Sequence, residues 1–467
     1  MGIILDNAIT ENSFKKKIYL LLLGIFLVFP LLFVLKTSFG IKGVILLFGM
    51  MLGIISIYNF YFSYSILLLL LFTPNIIAIH TAVIYSVFVF FSYLLNFYGN
   101  RKNSIHHPLI IPFLIYFATT LPSFINTKSI VFSSFGLYNL VALFSMLVAT
   151  AYAFTSHKRI MNLIYVFLTG ILLNGIIVIY LGLSSGKRVF GLLDVFYVDY
   201  AGLGSLLALI LAIYSKGSKK FFWGVFSLII LYSLIITQTR NAWVSFGASF
   251  IILIIYLFFH VDKFKLRRHS LIGIVLTMSF FILVMYFSVA TVNTDIQSRL
   301  SNQTDVTDLT ESPESAGESS ILQRFFIWHT AIVAFSEHPV IGIGAYSFPL
   351  ASKDYYTIPK AFFKTFVFNK TSHVTFLSVL TETGIVGLIG FFIFIFSYLK
   401  LLLRTIKLPS EKNDIIRTLI ISSALLYISI SMFMTDAWLF GQQVVIWGIF
   451  LGLLVANYSL LQKKSDN

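Results

Sequence analysis

The stretch NTDIQSRLSNQTDVTDLTESPESAGESSILQRFFIWHTAIVAF, residues 293–335, decides the fold by contrast with everything around it. It lies in a polar excursion, Thr291 to His373, that holds eight of the eighteen carboxylates and three of the nine histidines. On either side the sequence is almost continuous apolar runs of membrane length. With 58% hydrophobic and 11% charged residues, the chain is too apolar for one soluble globule and reads as a polytopic membrane protein. Backbone groups in lipid must be paired within the protein, and runs of about 15 to 20 Leu, Ile, Phe and Val residues achieve that as helices. The alternating pattern of a transmembrane barrel is absent. The expected fold is all-α: a polytopic transmembrane helical bundle with one large extracytoplasmic loop that contains an amphipathic helix.

Upstream of the excursion, eleven spans are expected at 18–35, 43–58, 61–79 (bent at Pro74), 81–98, 108–124, 136–154, 160–182, 198–215, 221–237, 242–259 and 270–290. Three more follow at 374–402, 415–435 and 440–458. The chain thus divides into 1–290, 291–373 and 374–467. Fourteen spans put both termini in the cytoplasm; if the short spans near Asn59 merge or lie re-entrant, the count is twelve. Charge checks this register. The segments it assigns to the cytoplasm carry 21 of the 33 Lys and Arg residues, including Lys15 to Lys17 ahead of the first span. The opposite side, outside the large loop, keeps Lys36, Lys42, Lys128, Lys187, Arg188 and Arg240. That bias follows the positive-inside rule, so the large loop is expected to face out from an inner or plasma membrane. The net charge of +15 is accordingly a topology signal rather than a nucleic-acid-binding face. No cysteine is present, which excludes disulfides and thiolate metal sites. The first apolar run is followed by no small-residue cleavage site and reads as a retained span.

Within the loop, Asn293 to Ser320 is rich in Ser, Thr, Asp and Glu and is expected to be loosely ordered. Ser319 or Ser320 can then cap a helix in which Ile321, Phe325, Trp328, Ile332 and Phe335 recur at helical spacing. Such a helix should lie on the membrane surface or on the outer end of the bundle. HPVIGIG at 338–344 supplies a proline and two glycines, the chemistry of a tight turn.

A few residues there carry reactive chemistry. Arg188 sits in the outer loop SGKRVF and Arg240 in the very short connection ITQTRNAW. A guanidinium held this near a bilayer is costly unless it meets an anion, and its planar fork suits phosphate oxygens. Interfacial snorkelling or an internal salt bridge is the bland alternative for both. Arg324, on the loop helix, is a third candidate. His373 stands where the loop becomes the next span, and an imidazole there can accept a proton from a sugar hydroxyl, although a histidine at an interface is more often structural. His338 precedes Pro339 in a turn, where capping or packing is the plainer role. Glu382 is set to hydrogen-bond inside the bundle or orient a neighbour, and helical periodicity puts it on the face opposite His373. Neither a phosphate-binding GxxxxGK[ST] nor an HExxH is present, and no outer Asp pair offers to chelate magnesium, so no metal or cofactor is expected.

Three pieces resemble the O-antigen ligase superfamily, which also contains Wzy-type polysaccharide polymerases and protein O-oligosaccharyltransferases. They are TQTRNAW at 237–243, similar to the family's T-x-S-R-G-A-W; RFFIWHTAIVAF followed by EHPVIGIGAYSF, similar to R-x3-W and P-x-x-G-x-G-x-x-x-F; and SHVTFLSVLTETGIVGL at 372–388, similar to H-N-x-x-L and E-x-G-x-x-G-L. The resemblance covers about the C-terminal half. It implies metal-independent, inverting glycosyl transfer on the outer face of the membrane, from a glycan on undecaprenyl diphosphate. It further implies that Arg240 and Arg188 contact the diphosphate, that His373 activates the acceptor hydroxyl, and that His338 helps bind substrate. Val374 and Asn241 depart from the family's usual Asn and Gly.

A ligase would transfer the glycan to lipid A-core and a polymerase to another carrier-linked glycan, and the resemblance along Arg324 to Leu388 leans to the ligase. A flippase or transporter of anionic glycolipid is the reading from a different class. Transporters place ionisable groups near mid-membrane and show repeated halves, whereas here the notable charges fall at the ends of spans.

Overall fold

A computed structural model describes residues 59–72, 75–97, 107–185, 189–264, 320–408, 411–436 and 441–465, with parts of 266–283. Arg188, the spans expected at 18–35 and 43–58, and the acidic segment 293–319 lie outside the described residues. Within them the structure is helical and without strands. The helices are α1 (Phe60–Leu71), α2 (Asn75–Phe97), α3 (Ile110–Thr120), α4 (Ile130–Ala153), α5 (His157–Ser185), α6 (Tyr197–Tyr214), α7 (Ser218–Ile236) and α8 (Arg240–Phe259), followed by α9 (Ser320–Glu337), α10 (Phe348–Ala351), α11 (Lys360–Phe366), α12 (Thr375–Lys407), α13 (Lys412–Ser431) and α14 (Gly441–Ser465). Eight of the described helices, α4 to α8 and α12 to α14, are long and apolar enough to cross a membrane.

One expected span is redrawn. The helix that begins at Phe60 stops at Leu71, where Phe72 N–H turns back to the Leu69 carbonyl at 3.0 Å, and α2 then runs from Asn75 to Phe97 in one piece. Residues 75–79 therefore belong with 81–98. Pro74, where a bend was expected, lies outside the described residues.

The bundle is organised on α6, whose residues are buried without interruption from Tyr197 to Ala212, the mark of a helix at the centre of a membrane protein. Around it pack α5, α7, α8 and α13. By contrast α8 leaves Val244, Ile251, Ile252 and Ile255 exposed, an apolar face suited to lipid. α14 packs closely on α4. A Cβ on Gly448 or Gly452 would stand 2.7 Å from the Leu143 or Leu147 carbonyl, so this four-residue glycine spacing is what lets the backbones meet. At one end of the bundle the Arg417 guanidinium, 2% exposed, is paired with Asp414 at 3.0 Å, His157 Nδ1 at 2.9 Å and the Asn457 side chain. This joins α5, α13 and α14 far from the residues singled out above.

At the other end sits a second, smaller core built from the 320–373 segment, in which Ile327, Ala331 and Ala334 of α9 pack with Phe348, Phe363 and Phe366. The predicted helix is present, and its expected stripe lies on the outside, with Phe325 and Ile332 62% and 56% exposed. The sequence carries two apolar stripes here, and the one with the smaller side chains turns inward because alanines allow close approach to α11 and the 339–344 turn.

That turn is stitched into α12. Gly384 (φ 66°) interrupts the helix, and the backbone groups released at the kink pair with HPVIGIG. Ile343 and Gly344 N–H donate to the Thr381 and Glu382 carbonyls at 3.1 and 3.0 Å, and Ile385 and Val386 N–H donate to Pro339 and Val340 at 2.9 and 3.2 Å. The Glu382 carboxylate, fully buried, accepts the Tyr346 and Phe348 N–H groups at 2.9 and 3.2 Å. The chain crossing needs glycine at both strands of the contact, since a Cβ on Gly342 (φ 71°) would lie 2.4 Å from Glu382 backbone and one on Gly384 2.3 Å from Val340.

Candidate functional site

The turn after α13, residues 432–436, is where the separate pieces meet. Its carbonyls at Met432 and Thr435 accept the Thr375 N–H at 3.0 and 3.2 Å, and the Thr435 carbonyl also takes the Thr375 hydroxyl at 2.7 Å. These bonds occupy a first-turn donor of α12 that no earlier residue can satisfy, since Val374 offers no capping side chain. The turn ends at Asp436, 1% exposed. One carboxylate oxygen accepts the Ser372 and Ser378 hydroxyls at 3.1 and 2.6 Å, and the other accepts the His373 backbone N–H at 2.5 Å.

His373 is thereby held with a left-handed backbone, φ 57°, which costs an ordinary residue about 1–3 kcal/mol unless its surroundings impose it. Neither ring nitrogen has a hydrogen-bond partner among the described residues, so the imidazole is available to a reactant. Burial is the main influence on its proton affinity and lowers its pKa; Asp436 opposes that, while Arg324 and Lys370 add to it. The net direction is downward, and the neutral, proton-accepting form prevails near pH 7.

One cation, and the helix start that carries another, reach the same turn. Arg324 on α9 donates from one guanidinium nitrogen to the Met434 carbonyl at 3.4 Å and has no other hydrogen bond within the described residues. Its burial lowers its pKa and the nearby Asp436 counters that. Arg240 opens α8, and the amide of the adjacent Asn241 donates to the same Met434 carbonyl at 3.1 Å. The residue that replaces a glycine in the resemblance thus has a visible job, tying the start of α8 to the turn. A helix N-terminus bearing an arginine is a concentrated positive site for anions. Trp328, also on α9, donates its indole N–H to the Ser372 carbonyl at 3.0 Å and fixes the strand leading into His373.

The structure therefore brings Arg324, His373 and Asn241, the residue after Arg240, to one turn and adds Asp436. Residues 224–392 match the O-Antigen ligase family. The match contains Arg240, Arg324, His338, His373 and Glu382 and stops short of Asp436. It supports the resemblance read from the sequence and, with the membrane-length helices, an O-antigen ligase-like or polymerase-like multi-pass membrane enzyme of the glycosyltransferase type. No curated protein matches the chain.

Two residues of the sequence reading lie elsewhere. His338 closes α9 and sets its ring edge-on to Tyr355 at 5.8 Å, and Glu382 is spent on the Tyr346 and Phe348 amides. Both hold the loop in shape. Asp436 was missed because it lies 63 residues beyond His373 in MTDAW, which carries no recognisable motif. The signal available was a lone carboxylate between two long apolar spans, which is expensive unless it is used.

Proposed function

We propose that this protein transfers a glycan from undecaprenyl diphosphate to an acceptor hydroxyl on the outer face of the bacterial inner membrane, without a metal and with inversion, as an O-antigen ligase acting on lipid A-core. The observation that carries the reading is that Arg324, His373 and the start of the Arg240 helix, through Asn241, are all tied to the 432–436 turn, three segments far apart in the chain brought to one place. In this reading the Arg240 guanidinium, helped by the α8 N-terminus, stabilises the negative charge that grows on the departing diphosphate. Arg188 assists from the preceding loop, and Arg324 neutralises charge from the α9 side. Neutral His373 takes the proton of the acceptor hydroxyl as its oxygen attacks the anomeric carbon and the bond to diphosphate breaks. Asp436, through the His373 N–H, fixes the backbone that aims the ring. The exposed Phe325 and Ile332 supply an apolar margin against which a polyprenyl chain or the bilayer itself can lie. The outward orientation is supported by the excess of Lys and Arg at the opposite ends of the spans.

A polymerase shares the donor chemistry and differs in acceptor. A deletion strain complemented with wild type or His373→Ala, with surface polysaccharide resolved by length and by lipid carrier, separates them. Long glycan stranded on undecaprenyl diphosphate with none on the terminal acceptor supports the ligase. Single repeats on the acceptor with no long chains would transfer the assignment to the polymerase, and a His373→Ala profile equal to wild type would remove both.

A further inference from the structure

Directly under the 432–436 turn, between α6, α13 and α14, lies a cavity of about 30 Å³ whose walls include Asp199, Tyr427, Ser431, Gln443 and Trp447. Asp199 stands in the first turn of α6, the most deeply enclosed helix of the bundle. A carboxylate placed there costs several kcal/mol unless its oxygens are met by donors. One oxygen accepts the Ser431 hydroxyl at 3.2 Å and the other accepts the Gln443 amide. The remaining polar atoms facing this region, Tyr427 Oη, Trp447 Nε1 and Gln443 Oε1, have no protein partner among the described residues, and the cavity has room for about two waters. Gly202, one turn on from Asp199, allows α13 to close at this level, since a Cβ there would meet Tyr427 Oη at 2.4 Å.

Ser431 is the last residue of α13, and its hydroxyl also lies 3.2 Å from that of Thr435. Thr435 precedes Asp436, which holds the His373 N–H. Hydrogen bonds from Asp199 through Ser431 to Thr435, then the covalent step to Asp436, thus link the centre of the bundle to the imidazole-bearing backbone. We infer that Asp199 is a positioning residue for His373, acting through Ser431 and the 431–436 turn to keep Asp436 seated on the His373 backbone. This rests on the transferase reading above. Asp199 makes no hydrogen bond to His373 and takes no proton from substrate; its task is to set the height of the turn. The consequence is testable beyond a loss of rate. Among the charged groups acting on His373, Asp436 opposes the lowering of its pKa while Arg324 and Lys370 reinforce it. If the turn drifts, the Asp436 influence weakens and the His373 titration moves to lower pH.

The experiment uses the purified full chain in detergent, with an undecaprenyl-diphosphate-linked repeat unit as donor and lipid A-core or a second carrier-linked repeat as acceptor. Asp199→Ala, Asp199→Asn, Ser431→Ala and His373→Ala are compared with wild type for kcat, donor KM and the acid limb of the pH profile. Misplacement of a reacting group by about 1 Å costs on the order of 100-fold, so Asp199→Ala and Ser431→Ala are expected to lower kcat by about 10- to 100-fold. KM should be unchanged and the acid limb shifted to lower pH. Asp199→Asn keeps an acceptor for Ser431, and the Gln443 amide can turn over to suit it, so most activity returns. Ser431→Ala carries the test if Asp199→Ala does not fold. Wild-type kcat in both variants, a loss confined to KM, or a lowered kcat with an unmoved acid limb would each overturn the positioning role while His373→Ala stays inactive. Full turnover by His373→Ala would instead overturn the transferase reading itself.

Discussion

The Asp436 carboxylate receives the His373 backbone N–H at 2.5 Å while its other oxygen receives two serine hydroxyls. Removing it leaves the His373 N–H unpaired at a cost of about 1–3 kcal/mol, while Ser372 and Ser378 retain the Val374 carbonyl and each other, and frees His373 from its left-handed backbone. Asp436→Ala is therefore expected to lower transfer to within roughly tenfold of the level of His373→Ala. Steady-state turnover of both proteins, measured beside their thermal unfolding, checks this; near-normal turnover in Asp436→Ala would separate the carboxylate from the site.

The acid limb of the pH–rate profile reports His373. Burial lowers its pKa, so the midpoint is expected below the ordinary value of about 6.5, with rate lost as pH falls through it and the ring takes a proton. Replacing Arg324 by Gln removes a positive neighbour and should raise the midpoint, whereas Asp436→Asn removes a negative one and should lower it. Stability has the same sign, because below about 6.5 the unfolded chain binds a proton that the folded ring resists. Opposite movements of the two midpoints are the outcome to look for.

How much of this was legible in the sequence differs from residue to residue. His373 and Arg240 stand beside recognisable motifs, and the apolar runs on either side announce the spans that carry them. Glu382 was expected to hydrogen-bond inside the bundle, but its partnership with Tyr346 and Phe348 depends on a chain crossing that no local pattern encodes. The inward, alanine-bearing face of α9 was not anticipated, because two apolar stripes compete on that helix and only the neighbouring surface decides between alanines and aromatics. Asp436 and Asp199 look like isolated acids in apolar sequence, and their meaning arises from packing between α6, α12 and α13.

The glycine crossing gives a stability prediction independent of chemistry. Gly342→Ala and Gly384→Ala each put a Cβ within 2.4 Å of backbone at a positive φ, so the conformational cost of about 1–3 kcal/mol is added to a steric one that backbone cannot relieve. Both should unfold at markedly lower temperature in detergent. Gly224→Ala, with nothing within 4 Å of the new carbon, should be neutral or gain up to about 1 kcal/mol.

Arg240 tests the phosphate half of the account. A lysine keeps the charge at the start of α8 but loses the planar fork, so Arg240→Lys should recover little of the turnover lost in Arg240→Ala, a loss of about 10²- to 10³-fold in kcat. Full rescue by lysine would reduce the role to charge alone.

In the proposed reaction His373 removes the acceptor proton while the diphosphate leaves. The most direct measurement is single-turnover transfer from a defined undecaprenyl-diphosphate-linked glycan by purified wild type and His373→Ala, with donor binding measured on the same preparations. Equal donor binding and a chemical step slower by about 10²- to 10⁴-fold in the variant are expected. A His373→Ala protein that binds donor and transfers glycan at the wild-type rate would contradict it.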